Sequence, residues 1–265
     1  MFSRPPRSLV RAIDLVNRRG KSVGVRLARY TGKSRHFVHP KHLVDTPWHD
    51  WYVEHLSPGA VVLDVGCGNG AHTLRAAPHC KRVFAFDYDP AQLRVGRHEA
   101  ARLGYHNAHF FAWNIVESFP FSDRCFDVVL FLDVIEHLVP RVAVLREIRR
   151  VLKDEGRLLV SGPSRESKWR RRLREAGLFA FSDPDHKIEY TADEFAAELA
   201  AGGFKVEGKL IPVVYDTPWA GLIDALGGLS LGLYARLARW KREVALRHPE
   251  ESTGFRTVAV KAGRS

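Results

Sequence analysis

Residues 61–70, VVLDVGCGNG, constrain the fold of this chain more than any other stretch. Apolar positions around a single acid read as a buried strand, and the glycines after it force a tight turn. The turn runs into AHTLRAA, whose composition is helical. Strand, glycine turn and helix in succession present free backbone N–H groups and a positive dipole end to an anionic ligand. Such a turn is common by itself, so its meaning rests on the segments downstream of it.

From Val61 to about Pro163 the chain alternates between two periodicities. VVLDV, RVFAFD, AHFFAW, FDVVLFLD and RLLVSG read as strands, with helical segments at 71–77, 90–103 and 139–152. Asp89-Pro90 predicts an N-cap followed by proline in the first helical position. LREIRRVL sets Leu145, Ile148, Val151 and Leu152 on one face and arginines on the other. Strands this apolar require helices on both faces of a largely parallel sheet. Thr191 and Glu194 predict a capping box opening a helix over 192–201, and FKVEGKLIPVV and GFRTVAVKA add two later strands. The expected fold is α/β: a doubly wound, mostly parallel seven-stranded sheet with helical cap and lid insertions.

The appended parts carry the charge. The net charge is +11. Residues 1–42 hold eight Arg and three Lys against the single Asp14, so the rest of the chain is close to neutral at +1. We therefore divide the chain into a basic N-terminal helical cap, 1–50, and a main α/β domain, 51–265, with insertions at 164–190 and 214–250. A second basic cluster, Arg165, Lys168, Arg170, Arg171, Arg172 and Arg174, reads most plainly as a solvated surface. Between residues 217 and 235 the one charge is Asp224, after which come Arg236, Arg239, Lys241 and Arg242. That pattern suits a helix at a membrane interface. It also suits a pair of lid helices over a substrate pocket, a reading favoured because Gly227-Gly228 should interrupt one long helix.

Other features narrow the class. Three cysteines, Cys67, Cys80 and Cys125, have no metal-type spacing, so neither a disulfide framework nor a zinc site is expected. MFSRPPRSLV lacks the apolar core of a secretory leader, and no run of 18 apolar residues offers a membrane span. The expected setting is the cytoplasm, with membrane association if 217–242 lies on a bilayer.

Ligands of such sheets bind at the carboxyl ends of the strands, where strand order reverses. The first strand end supplies Gly66, Gly68 and Gly70. The second ends in Asp87, 23 residues after Asp64, the distance expected of a carboxylate that accepts both ribose hydroxyls. The third ends in Trp113-Asn114, where Asn114 either contacts an adenine edge or serves as a turn residue.

DVGCGNG, FDYDPAQL, SFPFSDRCFDVVLFLDVIEHL and LREIRRVLKDEGRLLVSGPS, in that order, resemble the class I S-adenosylmethionine-dependent methyltransferases. The group most similar is type 11, which includes the ubiquinone-biosynthesis O-methyltransferases, and the resemblance covers roughly residues 45–205. It implies S-adenosyl-L-methionine as cofactor, with Asp64, Gly66, Gly68 and Gly70 around its methionine part. Asp87 and Tyr88 then fall at the ribose, Asn114 (often Asp in the family) at the adenine, and Asp133 near the transferring methyl.

The resemblance also implies transfer by in-line displacement, which needs an aligned nucleophile more than covalent help. Alignment can supply about 7–11 kcal/mol of barrier reduction, and a general base about 10²–10⁴-fold. His137 and His186 are the candidate bases, with Glu136 and Tyr190 close by; His137 is equally readable as a buried histidine bonded to backbone. No metal ligand set is expected. The expected acceptor is a hydrophobic or amphiphilic small molecule, most simply a hydroxyl compound. An RNA (tRNA-type) methyltransferase using the basic arm is the alternative, although LDVIEH lacks the Asn/Asp-Pro-Pro-aromatic element used on base amino groups. A non-catalytic cofactor-binding protein is a third reading. Oligomeric state is not encoded legibly.

Overall fold

The computed structural model of the protein describes residues 6–34, 39–44 and 46–263. Arg4 and Arg35 of the basic arm lie outside the described residues. The strands are β1 (Val61–Val65), β2 (Arg82–Asp87), β3 (Ala108–Ala112), β4 (Phe126–Phe131), β5 (Leu152–Pro163), β6 (Phe204–Pro212) and β7 (Gly254–Lys261). The helices are α1 (Arg7–Tyr30), α2 (Ala71–Ala76), α3 (Pro90–Leu103), α4 (Arg141–Val151), α5 (Lys168–Glu175), α6 (Ala192–Ala201), α7 (Ala220–Leu229) and α8 (Leu231–Arg247). Two compact units form: Met1–Pro47, Ser164–Pro184 and Pro212–Gly254 make one, and Trp48–Pro163, Asp185–Ile211 and Phe255–Ser265 the other.

The second unit holds the sheet, a seven-stranded one ordered β3-β2-β1-β4-β5-β7-β6. β1 pairs in parallel with β2 and β4, β2 with β3, and β4 with β5. The chain steps outward from β1 to β3 and then returns to lay β4 on the other side of β1, which opens a crevice at the carboxyl ends of both strands. Alternate residues feed two cores. Leu63, Val65, Val129 and Phe131 pack with Leu145, Ile148 and Phe195. Val62, Val128 and Leu130 pack with Tyr52, Ala76 and Leu159. Burial on both faces is why these strands show apolar runs in place of alternation.

The expected helix signals act as read. Asp89 accepts the Ala91 N–H at 2.7 Å with Pro90 in the first turn of α3. Thr191 and Glu194 close a reciprocal capping box at the start of α6. On α4, Leu145, Ile148 and Val151 are buried. On the same helix Glu147 accepts from Ser118 Oγ (2.9 Å), the Phe119 N–H (2.7 Å) and Arg150. The Arg150 hydrogen bonds, above all, hold the Glu147 carboxyl down at about 2. The helix ends one residue earlier than 139–152 implies, because Leu152 pairs with Phe126 and starts β5. Lys153 on Asp127 (2.7 Å) and Lys261 on Asp154 (3.1 Å) fasten this early segment.

The other unit is helical. Gly20 of α1 meets Gly221 of α7 so closely that a methyl group on either would collide with the facing backbone, and Gly24 meets Asp224 in the same way. Gly227 and Gly228 do not break the helix. They lie inside α7, buried, where Gly227 receives Tyr234 and Gly228 receives Gly24 and Leu27. Close helix packing overrides the weak helix propensity of glycine, and the break falls instead at Ser230, which caps α8 through the Leu233 N–H. The solvated-surface reading of the second basic cluster fails at Arg170. It is buried on α5, with Nε donating to Asp216 at 2.9 Å and a second nitrogen donating to the Ala180 carbonyl. Among the described residues, no helix is long and apolar enough to cross a membrane.

Candidate cofactor and acceptor site

A cavity of about 640 Å³ opens at the carboxyl ends of the central strands of the sheet unit, with Gly66, Asp87, Tyr88, Asn114, Asp133 and His137 on its wall. The loop after β1 folds back on β2, since the Gly66 and Cys67 N–H groups both donate to the Phe86 carbonyl at 3.0 Å. Gly68 then donates its N–H to Asp87 Oδ2 at 2.9 Å, and the Asp89 N–H donates to Asp87 Oδ1 at 2.9 Å. Two backbone bonds fix this carboxylate, and an ionised carboxylate has about four lone-pair sites. The remainder suits a vicinal diol.

Gly68 has φ +52, a left-handed backbone, and a Cβ placed there would meet nothing within 4 Å. The loop is therefore open on that side, as a cradle must be. Gly70 is different, because a Cβ there would come within 2.6 Å of Phe110; it is a packing glycine. Neither lies on the cavity wall.

Asp64 is also away from the wall. Its buried carboxylate accepts from Thr73 Oγ1 at 2.5 Å and so ties β1 to α2. Burial raises its pKa to about 6, against the lowering effect of the Thr73 hydrogen bond.

Past β3, Asn114 combines its two expected jobs. Oδ1 accepts the Val116 N–H at 3.3 Å in a turn while the residue lines the cavity, leaving the amide NH₂ to donate. Beside it Trp113 lines the cavity, and its buried Nε1 has no hydrogen-bond partner among the described residues. Past β4, Asp133 adopts φ +57. Its N–H donates to Ser161 Oγ at 2.9 Å, and Ser161 Oγ donates back to Oδ1 at 2.6 Å. This non-glycine residue in left-handed backbone is held by the neighbouring strand.

His137 comes next in a short 3-10 turn, Ile135–His137, exposed on the cavity wall rather than buried against backbone. His186 does not line the cavity. Its ring packs edge-on against His137, with centroids 4.8 Å apart. His186 Nδ1 lies 3.0 Å from buried Glu189, and Nε2 lies 3.8 Å from buried Glu136. Glu136, His137 and His186 bring their donor atoms within 4.8 Å of one another. Two imidazoles and a carboxylate form a donor set that also suits a divalent transition-metal ion, a grouping not visible in the sequence because Glu136 and His186 lie 50 residues apart. Lys187 and Asp185 reach the wall from the same loop. The apolar wall comes from Phe86, Trp113, Ile115, Val116, Val134 and Leu138.

Comparison with known proteins agrees with this architecture. A family model described as a methyltransferase domain matches residues 56–211. The chain belongs to that family, the S-adenosylmethionine-dependent methyltransferases of class I. A "probable S-adenosylmethionine-dependent methyltransferase" of Mycolicibacterium smegmatis is 34% identical, over 59% of this chain and 56% of its own. The 27-O-demethylrifamycin SV methyltransferase of Amycolatopsis mediterranei is 28% identical over 74% and 68%. The tRNA U34 carboxymethyltransferase of Aeromonas salmonicida is 35% identical over 46% and 40%. Among solved structures, the [4+2]-cyclase SpnF shares the fold with a TM-score of 0.58 at 22% identity, over 80% of this chain and 81% of that one. The chain spans about half the length of the first curated relatives it matches.

The family's cofactor is S-adenosyl-L-methionine, and the site fits it. The open cradle at Gly68, the spare acceptor capacity of Asp87 and the partnerless indole N–H of Trp113 are what a nucleoside with an amino-acid tail would satisfy.

Proposed function

We propose that this protein transfers a methyl group from S-adenosyl-L-methionine to a hydroxyl of a hydrophobic or amphiphilic small molecule. One observation carries the reading: a single cavity joins the Asp87–Asn114 face to the apolar wall of Ile115, Val116, Val134 and Leu138, with His137 on its surface. When bound, S-adenosyl-L-methionine supplies a sulfonium methyl already activated for transfer. The chain's own residues do the rest. Asp87 accepts the ribose hydroxyls, Asn114 donates to the adenine edge, and the loop from Gly66 to Gly70 holds the methionine part, with Tyr88 and Asp133 beside it. The apolar wall desolvates the acceptor and excludes water. His137 takes the acceptor's hydroxyl proton. His186 is a positioning residue, fixing the His137 ring from its far edge while Glu189 fixes His186. The similarity to a 27-O-demethylrifamycin SV methyltransferase supports a hydroxyl of a small molecule as the acceptor.

The test is a methyl-transfer assay with radiolabelled cofactor across phenols, quinols and macrolactone alcohols, then the same assay on the Asp87→Ala variant. Label entering an organic-extractable product in wild type, and lost in the variant, is the expected result. A second reading, methylation of RNA, draws on the similarity to a tRNA-modifying enzyme and on the arginines of α1. Label entering tRNA and none of the small molecules would establish it instead.

A further inference from the structure

The helical unit carries the whole of the chain's excess charge. Its segments hold 22 Lys and Arg against 10 Asp and Glu, a net of +12, which leaves 19 against 20, or −1, in the sheet unit. α1 alone has seven basic residues, and its one acid, Asp14, is paired with Arg18 at 2.8 Å. The same unit exposes aliphatic side chains. Leu9, Val16 and Val23 of α1 and Leu222 and Leu229 of α7 are each 41–57% exposed. Within each helix they stand seven residues apart, about two turns, and so share one face.

Packing brings the two rows together. α1 and α7 run parallel, because Gly20 of α1 meets Gly221, Gly24 meets Asp224, and Leu27 and Ala28 meet Gly228. Asn17 and Gly24 therefore face α7, and Gly221 and Gly228 face α1. Successive helix residues are about 100° apart around the axis. Val16 and Val23 each come one residue before a contact position on α1, whereas Leu222 and Leu229 each come one residue after a contact position on α7. On parallel helices, opposite rotations away from a shared contact line point to the same side of the pair. Leu9 continues the α1 row one step beyond Val16. The five side chains thus form one apolar strip on the outside of the pair, and the glycine contacts keep its two rows close. Arg19 and Arg26, three residues after Val16 and Val23, are exposed along the edge of the strip farther from α7.

We propose that this strip docks the helical unit on an anionic lipid bilayer, with the aliphatic side chains in the acyl boundary and Arg19 and Arg26 at the phosphates. An exposed apolar patch rimmed by polar residues marks an interaction surface, and charge selects its occupant. A bilayer with acidic headgroups offers hydrocarbon to the rows and fixed negative charge to the arginines. A second copy of the chain does not, since pairing through this face would set one +12 unit against another. No helix among the described residues can cross a membrane, so the contact lies in the plane of the interface. Docking there is independent of the acceptor that the sheet unit methylates.

Sedimentation of the full chain with vesicles of phosphatidylcholine, alone or mixed with phosphatidylglycerol, tests the surface. Wild type should pellet with the mixed vesicles and stay in solution with phosphatidylcholine alone, and salt should weaken its capture. Val16→Glu combined with Leu222→Glu should weaken capture by about tenfold or more, since both new charges would enter the acyl boundary. Both positions are exposed, so this variant should keep the wild-type melting temperature. If it does not, Val16→Ser with Leu222→Ser serves in its place. Val95→Glu combined with Leu103→Glu makes the same charge change at exposed positions of α3 in the sheet unit and should leave capture unchanged. Arg19→Gln combined with Arg26→Gln should raise the phosphatidylglycerol content needed for capture. No capture on the mixed vesicles overturns the proposal. Equal loss in the α3 variant and the α1–α7 variant also overturns it, because net charge alone would then account for binding. So does a wild-type dimer in sedimentation equilibrium that Val16→Glu with Leu222→Glu dissociates, which assigns the strip to a second copy.

Discussion

Asp87 holds the glycine loop in place: its carboxylate accepts the Gly68 N–H at 2.9 Å with one oxygen and the Asp89 N–H with the other. One acid thus sets the loop after β1 and the entry to α3, and it faces the cavity while doing so. Replacing it with alanine should remove the melting shift caused by S-adenosylhomocysteine. Because two backbone donors lose their partner, the unliganded protein should also lose about 1–3 kcal/mol. Thermal scans with and without S-adenosylhomocysteine measure both effects. A full ligand shift in the variant would remove Asp87 from the site.

His137 and His186 separate by where they stand. His137→Ala should lower kcat by about 10²–10⁴-fold with little change in cofactor affinity. His186→Ala should have a smaller effect and should move the pH profile of kcat, because it acts through the ring of His137. Treatment with a chelator distinguishes two uses of the cluster. An unchanged rate assigns it to proton transfer, and a loss restored by a divalent cation assigns it to metal binding through Glu136, His137 and His186.

Glu147 should govern the acid limb of stability. Its folded pKa, about 2, lies below the ordinary 4.5, so its contribution is complete above about 4.5 and disappears as the pH falls through 2. Glu147→Gln should cost about 1.5–3 kcal/mol at pH 7, the range for hydrogen bonds to a charged group. Urea denaturation at a series of pH values should show the gap between variant and wild type closing from pH 4.5 downward.

Asp64 should act with the opposite sign. Its folded pKa is raised from 3.8 to about 6, so the native state holds the proton more tightly than the unfolded chain does. Its contribution to stability falls as the pH rises from about 4 to about 6. The stability of Asp64→Asn relative to wild type should therefore increase across that interval and level off above pH 7. A relative stability that stays flat between pH 4 and 6 would contradict the burial assigned to this carboxylate.

The sheet was legible because its signals are local. The apolar runs of β1 and β4, the Asp89-Pro90 start of α3 and the Thr191–Glu194 box each lie within a few residues, and short-range chemistry fixes them. The helical unit was not legible in the same way. Gly227-Gly228 reads as a break because propensity is all that sequence shows, whereas Gly24 and Tyr234, far away in sequence or on the next helix, supply the packing that keeps α7 intact. Arg170 reads as solvated until Asp216, 46 residues on, arrives beside it. The site divides along the same line. Asp87 and Asn114 could be placed at strand ends from spacing, but the His137–His186 contact is made by a loop whose path no periodicity encodes. Asp64 shows the converse: a residue beside a binding loop can be wholly occupied in fastening a strand to a helix.

Asp133 turns the backbone left-handed while β5 runs on beside it to Pro163. β4 stops at Phe131, and two residues on the chain changes handedness although β5 continues as a neighbour. Handedness is a property of one residue, so it acts as punctuation that no neighbouring loop can overwrite by extending the ladder. The floor of the cavity is thereby insulated from its surroundings. Residues that complete the wall from a loop, Asp185 and Lys187 among them, can change composition while the strand ends at the cavity stay where they are.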